Sequence, residues 1–200
     1  MLIADRFTHP DITQRVAQAV EGGIRWILLR DYEASPQVWE RVARALRERF
    51  SPDVTISVNR HLDLARREHL GFHTGQGGPT VAYARRLLGP DALIGYSAHT
   101  LDELQQTHLE GGDYAFLSPV FSTSSKPRAT PLGLQALAQA HHRIPALPIF
   151  ALGGITPERV GPCLQAGAYG VAVLSGILHT PDPAEAARRY LAALKGASRH

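Results

Sequence analysis

Eight short apolar runs, most of them followed by a longer amphipathic segment, recur along 200 residues, and this alternation constrains the fold more than any other feature. The runs read as strands at 2–5, 24–30, 54–59, 71–73, 93–97, 114–118, 147–152 and 170–175. Helical patterning fills the intervals at 11–21, 36–49, 62–68, 80–88, 101–110, 134–141, 157–166 and 183–194. Near-continuous Val, Ile, Leu and Ala in the strands suits a parallel sheet covered on both faces. Thr100 before Leu101-Asp102-Glu103 and Thr156 before Pro157-Glu158 read as helix N-caps, while Gly22-Gly23 and Gly111-Gly112 read as stops. Eight βα units predict an α/β fold, a single compact (β/α)8 TIM barrel over residues 1–200. An open doubly wound sheet would favour a Gly-x-Gly-x-x-Gly turn after the first strand, and Asp5-Arg6-Phe7-Thr8 stands there instead.

Composition removes several classes of function. The longest apolar runs, such as Trp26-Ile27-Leu28-Leu29, fall far short of a membrane span, and Met1-Leu2-Ile3-Ala4-Asp5 lacks the shape of a signal peptide. Cys163 is the lone cysteine, so neither an internal disulfide nor a cysteine-based zinc cluster is possible. The formal charge of +3 comes from dispersed residues, with no polybasic run interleaved with aromatics. A cytoplasmic protein without nucleic-acid or membrane partners is expected. Trp39 and Tyr83 read as exposed aromatics and leave a homodimer open.

In a barrel of this kind the chemistry sits where the strands end. Those ends supply Arg30 and Tyr32, then Asn59, Arg60 and His61, then His73 and Gln76, then Ser97 and His99. Ser118 with Thr123 and Lys126, Gly153-Gly154, and Ser175-Gly176 complete the set, in which few residues are acidic. Of 21 basic residues only Lys126 and Lys195 are lysines, and Asn59 is the one asparagine. Where a residue type has been shed, each survivor is a candidate for a specific role. Gly153-Gly154 after the seventh strand and Leu174-Ser175-Gly176 after the eighth lie where backbone N–H groups form a phosphate cup. The hydroxyl-rich loop from Ser118 to Arg128 has the make-up of a lid over an anion. His73 and His99, beside strand ends, are candidate general bases or hydrogen-bonded core residues, whereas His9, His108, His141, His142, His179 and His200 read as solvated.

Several ordered motifs carry a family resemblance. They are Arg30 after the second strand, Asn59 closing the third, Gly75-Gln76, and Gly95-Tyr96-Ser97-Ala98-His99-Thr100. Asp113-Tyr114 leading to Pro119-Val120-Phe121-Ser122-Thr123 and Lys126, Gly153-Gly154-Ile155, and Ala166-Gly167-Ala168 onward to Ser175-Gly176-Ile177 follow. Together they resemble the thiamine phosphate synthase and TenI superfamily over essentially the whole chain. The resemblance implies a phosphorylated small-molecule ligand, a thiazole phosphate or thiamine phosphate. It places Thr123, Ser124, Ser125, a glycine of Gly153-Gly154, Leu174 and Ser175 on that ligand, with Arg30 on a diphosphate.

The departures decide the branch that the sequence favours. Synthases of this family join a pyrimidine methyl diphosphate to a thiazole phosphate with Mg²⁺, held by an Asp after the third strand and another after Gly-Gln. Here those places read Asn59-Arg60 and Gly75-Gln76-Gly77-Gly78. Arg60 cannot ligate a metal, so the expected activity is the TenI one: a thiazole tautomerase, an isomerase working by proton transfer with no metal site and no cofactor. TenI tautomerases carry a His ahead of the Val-Phe of the sixth loop, where Ser118-Pro119-Val120-Phe121 has Ser118. Proton transfer is therefore assigned to His99, His73 or Lys126, with Ser118 positioning the ligand. The alternatives are a synthase, for which Mg²⁺ would be needed, and a non-catalytic regulatory protein that binds thiazole or thiamine phosphates.

Overall fold

The computed structural model of the chain describes residues 1–197, so His200 lies outside them. The strands are β1 (Leu2–Ala4), β2 (Trp26–Leu29), β3 (Thr55–Asn59), β4 (Gly71–Gly75), β5 (Ile94–Ala98), β6 (Tyr114–Leu117), β7 (Ile149–Leu152) and β8 (Gly170–Ala172). The helices are α1 (Ile12–Glu21), α2 (Pro36–Phe50), α3 (Leu62–Glu68), α4 (Val81–Leu88), α5 (Leu101–Leu109), α6 (Gly133–Arg143), α7 (Pro157–Gln165), α8 (Ser175–Leu178) and α9 (Pro183–Ala197). All eight strands pair in parallel and in sequence order, β1 to β8. A further parallel bridge, Leu2 to Val173, brings the last strand against the first, with Ile3 N donating to Val173 O at 2.8 Å and Val173 N to Met1 O at 3.0 Å. The expected barrel is the observed one. No helix among the described residues is long and apolar enough to cross a membrane.

Strand alternation divides the apolar residues into two clusters. Leu2, Ala4, Ile27, Leu29, Val58, Leu117 and Ala151 face outward and pack under the helices. Ile3, Leu28, Tyr114, Phe116, Phe150 and Ala172, one position out of phase, fill the barrel interior. Glycines make room for the large rings: a Cβ on Gly95 would strike the Tyr114 ring, and one on Gly170 would meet Phe150 at 3.0 Å. Trp26 lies edge-on to both Tyr114 at 4.8 Å and Phe150 at 5.5 Å, closing the lower end of the interior.

The helix signals hold with two exceptions. Thr100 forms a full capping box with Glu103 at the start of α5, whereas Thr156 occupies the N-cap of α7 without a capping side-chain bond. The run expected as strand 170–175 ends at Ala172, and Ser175 instead opens the short helix α8.

Trp39 corrects the expectation of an exposed aromatic, since it is 1% accessible while Tyr83 is 43% accessible. The reason is helical phase: Trp39, Val42, Ala43 and Leu46 form one buried stripe of α2. Its ring meets Phe7 edge-on at 4.7 Å and lies 4.1 Å from the His61 ring. Its Nε1 is the one fully buried side-chain polar atom without a hydrogen-bond partner among the described residues. Trp39→Ala is expected to lower stability by about 3–5 kcal/mol in urea unfolding. Trp39→Phe, which removes the unpaired donor along with some volume, is expected to cost less than about 1.5 kcal/mol.

Candidate active site

The interior positions of the strands run upward into a cavity of about 640 Å³ at the C-terminal mouth of the barrel. The column Trp26, Leu28, Arg30 climbs β2 by twos and delivers Arg30 to that cavity. Parallel columns deliver Asn59 from β3, Ser97 from β5, Ser118 from β6 and Leu174 from beyond β8. The volume lies within the range typical of small-molecule sites.

One wall is cationic. Arg30 N donates to Ala4 O at 2.8 Å, which fixes the backbone as β2 ends. The next residue, Asp31, spends its carboxylate on the turn, accepting from Phe7 N at 2.7 Å, Glu33 N at 2.8 Å and Ala34 N at 3.2 Å. Arg60 follows Asn59 with φ +65°, a conformation unusual for a residue with a Cβ. Its backbone N–H donates to His73 O, its guanidinium donates to the Gln76 carbonyl, and it lies over the Tyr32 ring at 5.7 Å.

The sixth loop supplies the lid side. His99 Nδ1 donates to the Ser118 carbonyl at 2.5 Å, which leaves Nε2 as the acceptor in the neutral ring. Lys126 Nζ lies 3.4 Å from that Nε2. Partial desolvation, with the Arg30 charge adding to it, holds the Lys126 ammonium below the usual lysine range.

The opposite wall is backbone. Gly153 and Gly154 have φ of +96° and +62°. A Cβ on Gly153 would lie 2.7 Å from Pro119 Cβ, and one on Gly154 would overlap the Ser122 carbonyl. Both glycines are thus required for the seventh loop to pass against the sixth, leaving bare backbone toward the cavity. Ser175 at the start of α8 and Thr123, Ser124 and Ser125 of the sixth loop face the same space.

All the strand-end and ligand candidates named from the sequence line this cavity except His61, which lies against the Trp39 ring instead, and His73. His73 is fully buried one layer below, its Nδ1 3.0 Å from Tyr114 Oη and its Nε2 2.8 Å from Ser97 Oγ. Burial, with the Arg30 charge added, pulls its pKa down to about 3. It does not line the cavity and instead holds the hydroxyl of Ser97, which does. The sequence reading missed Arg159 and Tyr190. Arg159 donates to Gly154 O at 2.6 Å and stacks over Phe121 at 4.5 Å, and Tyr190 Oη donates to Ile155 O at 2.8 Å. Arg159 had a signal: a cation in the first turn of a helix opposes the macrodipole and needs another reason to be there. Tyr190 had none beyond its place on the apolar face of α9.

Mg²⁺, implied by the resemblance to synthases, does not fit these residues. No Asp or Glu lines the cavity, and no group of three or more His, Cys, Asp or Glu able to hold a metal occurs among the described residues. Three carboxylates near the rim are engaged: Asp31 as above, Asp5 with His179 at 3.0 Å, and Glu103 with His99 N at 2.6 Å. A hard cation prefers such oxygens and would meet guanidinium and ammonium groups instead.

A thiamine monophosphate synthase (TMP-TENI) family model matches residues 1–177. The chain is 37% identical over 186 residues to a thiamine-phosphate synthase of Psychrobacter sp. (strain PRwf-1), covering 90% of this chain and 87% of that protein. It is 38% identical over 177 residues to a thiamine-phosphate synthase of Moorella thermoacetica, covering 87% and 84%. A solved thiamine phosphate pyrophosphorylase from Pyrococcus furiosus superposes with a TM-score of 0.83 at 23% identity, covering 98% and 95%, which shows the shared fold. The names of the sequence relatives overturn the expectation of a thiazole tautomerase. The missing carboxylates had been read as loss of the transferase, and chains sharing over a third of their aligned residues with this one are named synthases. Placement nearest the TenI branch has no support in those names.

The buried His73 predicts an acid limit to stability. Its folded-state pKa of about 3 lies below the ordinary histidine value of 6.5, so the unfolded chain takes up the proton first. The stability tied to neutral His73 is complete above pH 6.5 and is lost as pH falls from there toward 3. Urea unfolding between pH 6.5 and pH 5 is expected to show about 2 kcal/mol of loss from this group, and His73→Gln is expected to remove that slope.

Proposed function

The chain belongs to the thiamine monophosphate synthase (TMP-TENI) family, and on that premise we propose that it acts as a thiamine-phosphate synthase. The reaction joins a pyrimidine methyl diphosphate to a thiazole phosphate. The thiazole ring nitrogen bonds to the pyrimidine methylene carbon, and that carbon's bond to the diphosphate oxygen breaks. The electron pair leaves with the diphosphate. The attacking nitrogen carries no hydrogen, so the step needs no general base.

That last point accounts for a site without a carboxylate and with Ser118 where a tautomerase carries histidine. What the chemistry asks for is two anion sites facing one another and positive charge where the leaving group accumulates its negative charge. The observation that carries the reading is the pairing of a cationic wall with a backbone wall across one cavity. The backbone wall of Gly153, Gly154 and Ser175 takes the thiazole phosphate, with the hydroxyls of Thr123, Ser124 and Ser125 closing over it. Arg30, Arg60 and Lys126 take the diphosphate. Asn59 and Ser97 lie on the floor between the two. His99, fixed by the Ser118 carbonyl, holds Lys126 in place rather than moving a proton of the substrate.

Incubation with both phosphorylated substrates is expected to yield thiamine phosphate and pyrophosphate in equal amounts, measured by chromatography. Lys126→Ala is expected to lower the rate roughly hundredfold, the usual effect of removing one group that stabilises transition-state charge. Absence of thiamine phosphate in buffers with and without Mg²⁺ would count against the reading.

A further inference from the structure

We infer that the diphosphate leaving group is neutralised by side-chain cations of this chain, Arg60 among them, in place of a divalent metal. The inference deepens the synthase reading, on which it relies only for the identity of the anion. It stands on the donor set of the cavity: Arg30, Arg60 and Lys126 line it, and no carboxylate does.

Arg60 is held for this purpose more firmly than an exposed arginine generally is. Its guanidinium is tied to the Gln76 carbonyl and lies over Tyr32, so part of its rotamer freedom is already lost before a ligand arrives. Its backbone sits at φ +65° and is kept there by the bond from its N–H to His73 O at 2.8 Å. Strain of that kind at a cavity wall persists where the surroundings over-determine it, and it marks sites of function. A guanidinium presents a planar fork that matches two phosphate oxygens at once, which a hydrated ammonium does not.

The cations lining the cavity have no acidic partner among its lining residues. The Arg30 charge disfavours the proton on Lys126, and no acid within the cavity offsets either group. A diphosphate entering this space relieves that repulsion while gaining charge-assisted hydrogen bonds. A divalent cation entering it adds to the repulsion. The two ligands therefore differ in sign of interaction with the same wall, and the measurement can be made without substrate turnover.

Calorimetric titration of the full chain with inorganic pyrophosphate in EDTA tests this. Binding is expected in EDTA, weakening steeply with added salt and weakening again when Mg²⁺ replaces EDTA, because the Mg²⁺–pyrophosphate chelate carries less negative charge. Arg60→Ala is expected to weaken pyrophosphate binding by roughly tenfold to hundredfold, as loss of a charged hydrogen-bond donor does. Arg60→Lys is expected to recover part of that loss, which a merely structural role would not predict. Pyrophosphate binding that requires Mg²⁺, or unchanged binding in Arg60→Ala, would overturn the inference. Turnover separates it from the synthase reading. Thiamine phosphate formed only with Mg²⁺ keeps the synthase and removes the cationic site as its substitute. Metal-free pyrophosphate binding without any thiamine phosphate keeps the cationic site and removes the synthase.

Discussion

Backbone pairing of the first strand with the last is the constraint on which the rest depends. Once Ile3 and Val173 exchange their ladder with Met1 and the sheet meets itself, every strand has an inside and an outside set by a period of two. The inside is too narrow for one large residue per position, so Tyr114 and Phe150 are accommodated by Gly95 and Gly170 on neighbouring strands. The same alternation decides which side chain is the last to face inward before each strand becomes a loop. Arg30, Asn59, Ser97 and Ser118 reach the cavity for that reason, and a one-residue slip in any strand would turn its contribution outward under the helices.

The polar residues inside the barrel follow from the same geometry. His73 sits between the aromatic layer and the cavity floor, with Phe116 at 4.4 Å beneath and beside it, and both ring nitrogens find hydroxyl partners. A charged imidazole there would lose its hydration with no anion to compensate, and the Arg30 charge lies on the wrong side of that balance. The neutral ring is therefore a fixed hydrogen-bonding spacer. It joins the Tyr114 hydroxyl to the Ser97 hydroxyl, which links the packed interior to the cavity lining.

Periodicity made the architecture legible, because eight apolar runs interrupted by amphipathic stretches leave few ways to bury a sheet. Strand ends were less legible. The run after Gly170 reads as strand through Ser175, yet the chain turns into α8 once Ala172 has paired with Leu152. Apolar character alone cannot separate the last pair of a ladder from the first turn of a buried helix. Trp39 shows a similar limit, since it is read as exposed while its spacing from Val42, Ala43 and Leu46 specifies burial. For the site, position at a strand end found Arg30, Asn59, Arg60, Ser97, His99 and Ser118 among the lining residues. Arg159 and Tyr190 come from helices and reach the cavity only through tertiary packing, which no local pattern records.

The reaction was the least legible feature of the residues, for a physical reason. Absent carboxylates at the third and fourth strand ends leave the cavity without the acidic ligands of a Mg²⁺ site of the usual composition. Absence of the transferase was then inferred from absence of the metal's ligands, which assumes that only a metal can meet the charge of a departing diphosphate. Electrostatic stabilisation requires preorganised positive charge in a partly dry cavity, whatever group carries it. Guanidinium and ammonium groups satisfy that requirement provided their own repulsion is sustained by the fold when the cavity is empty. Here the sustaining elements are visible: the Ala4 bond that sets the end of β2, the Gln76 carbonyl and Tyr32 ring at Arg60, and His99 beside Lys126. These anchors are what the inferred metal-free anion site relies on.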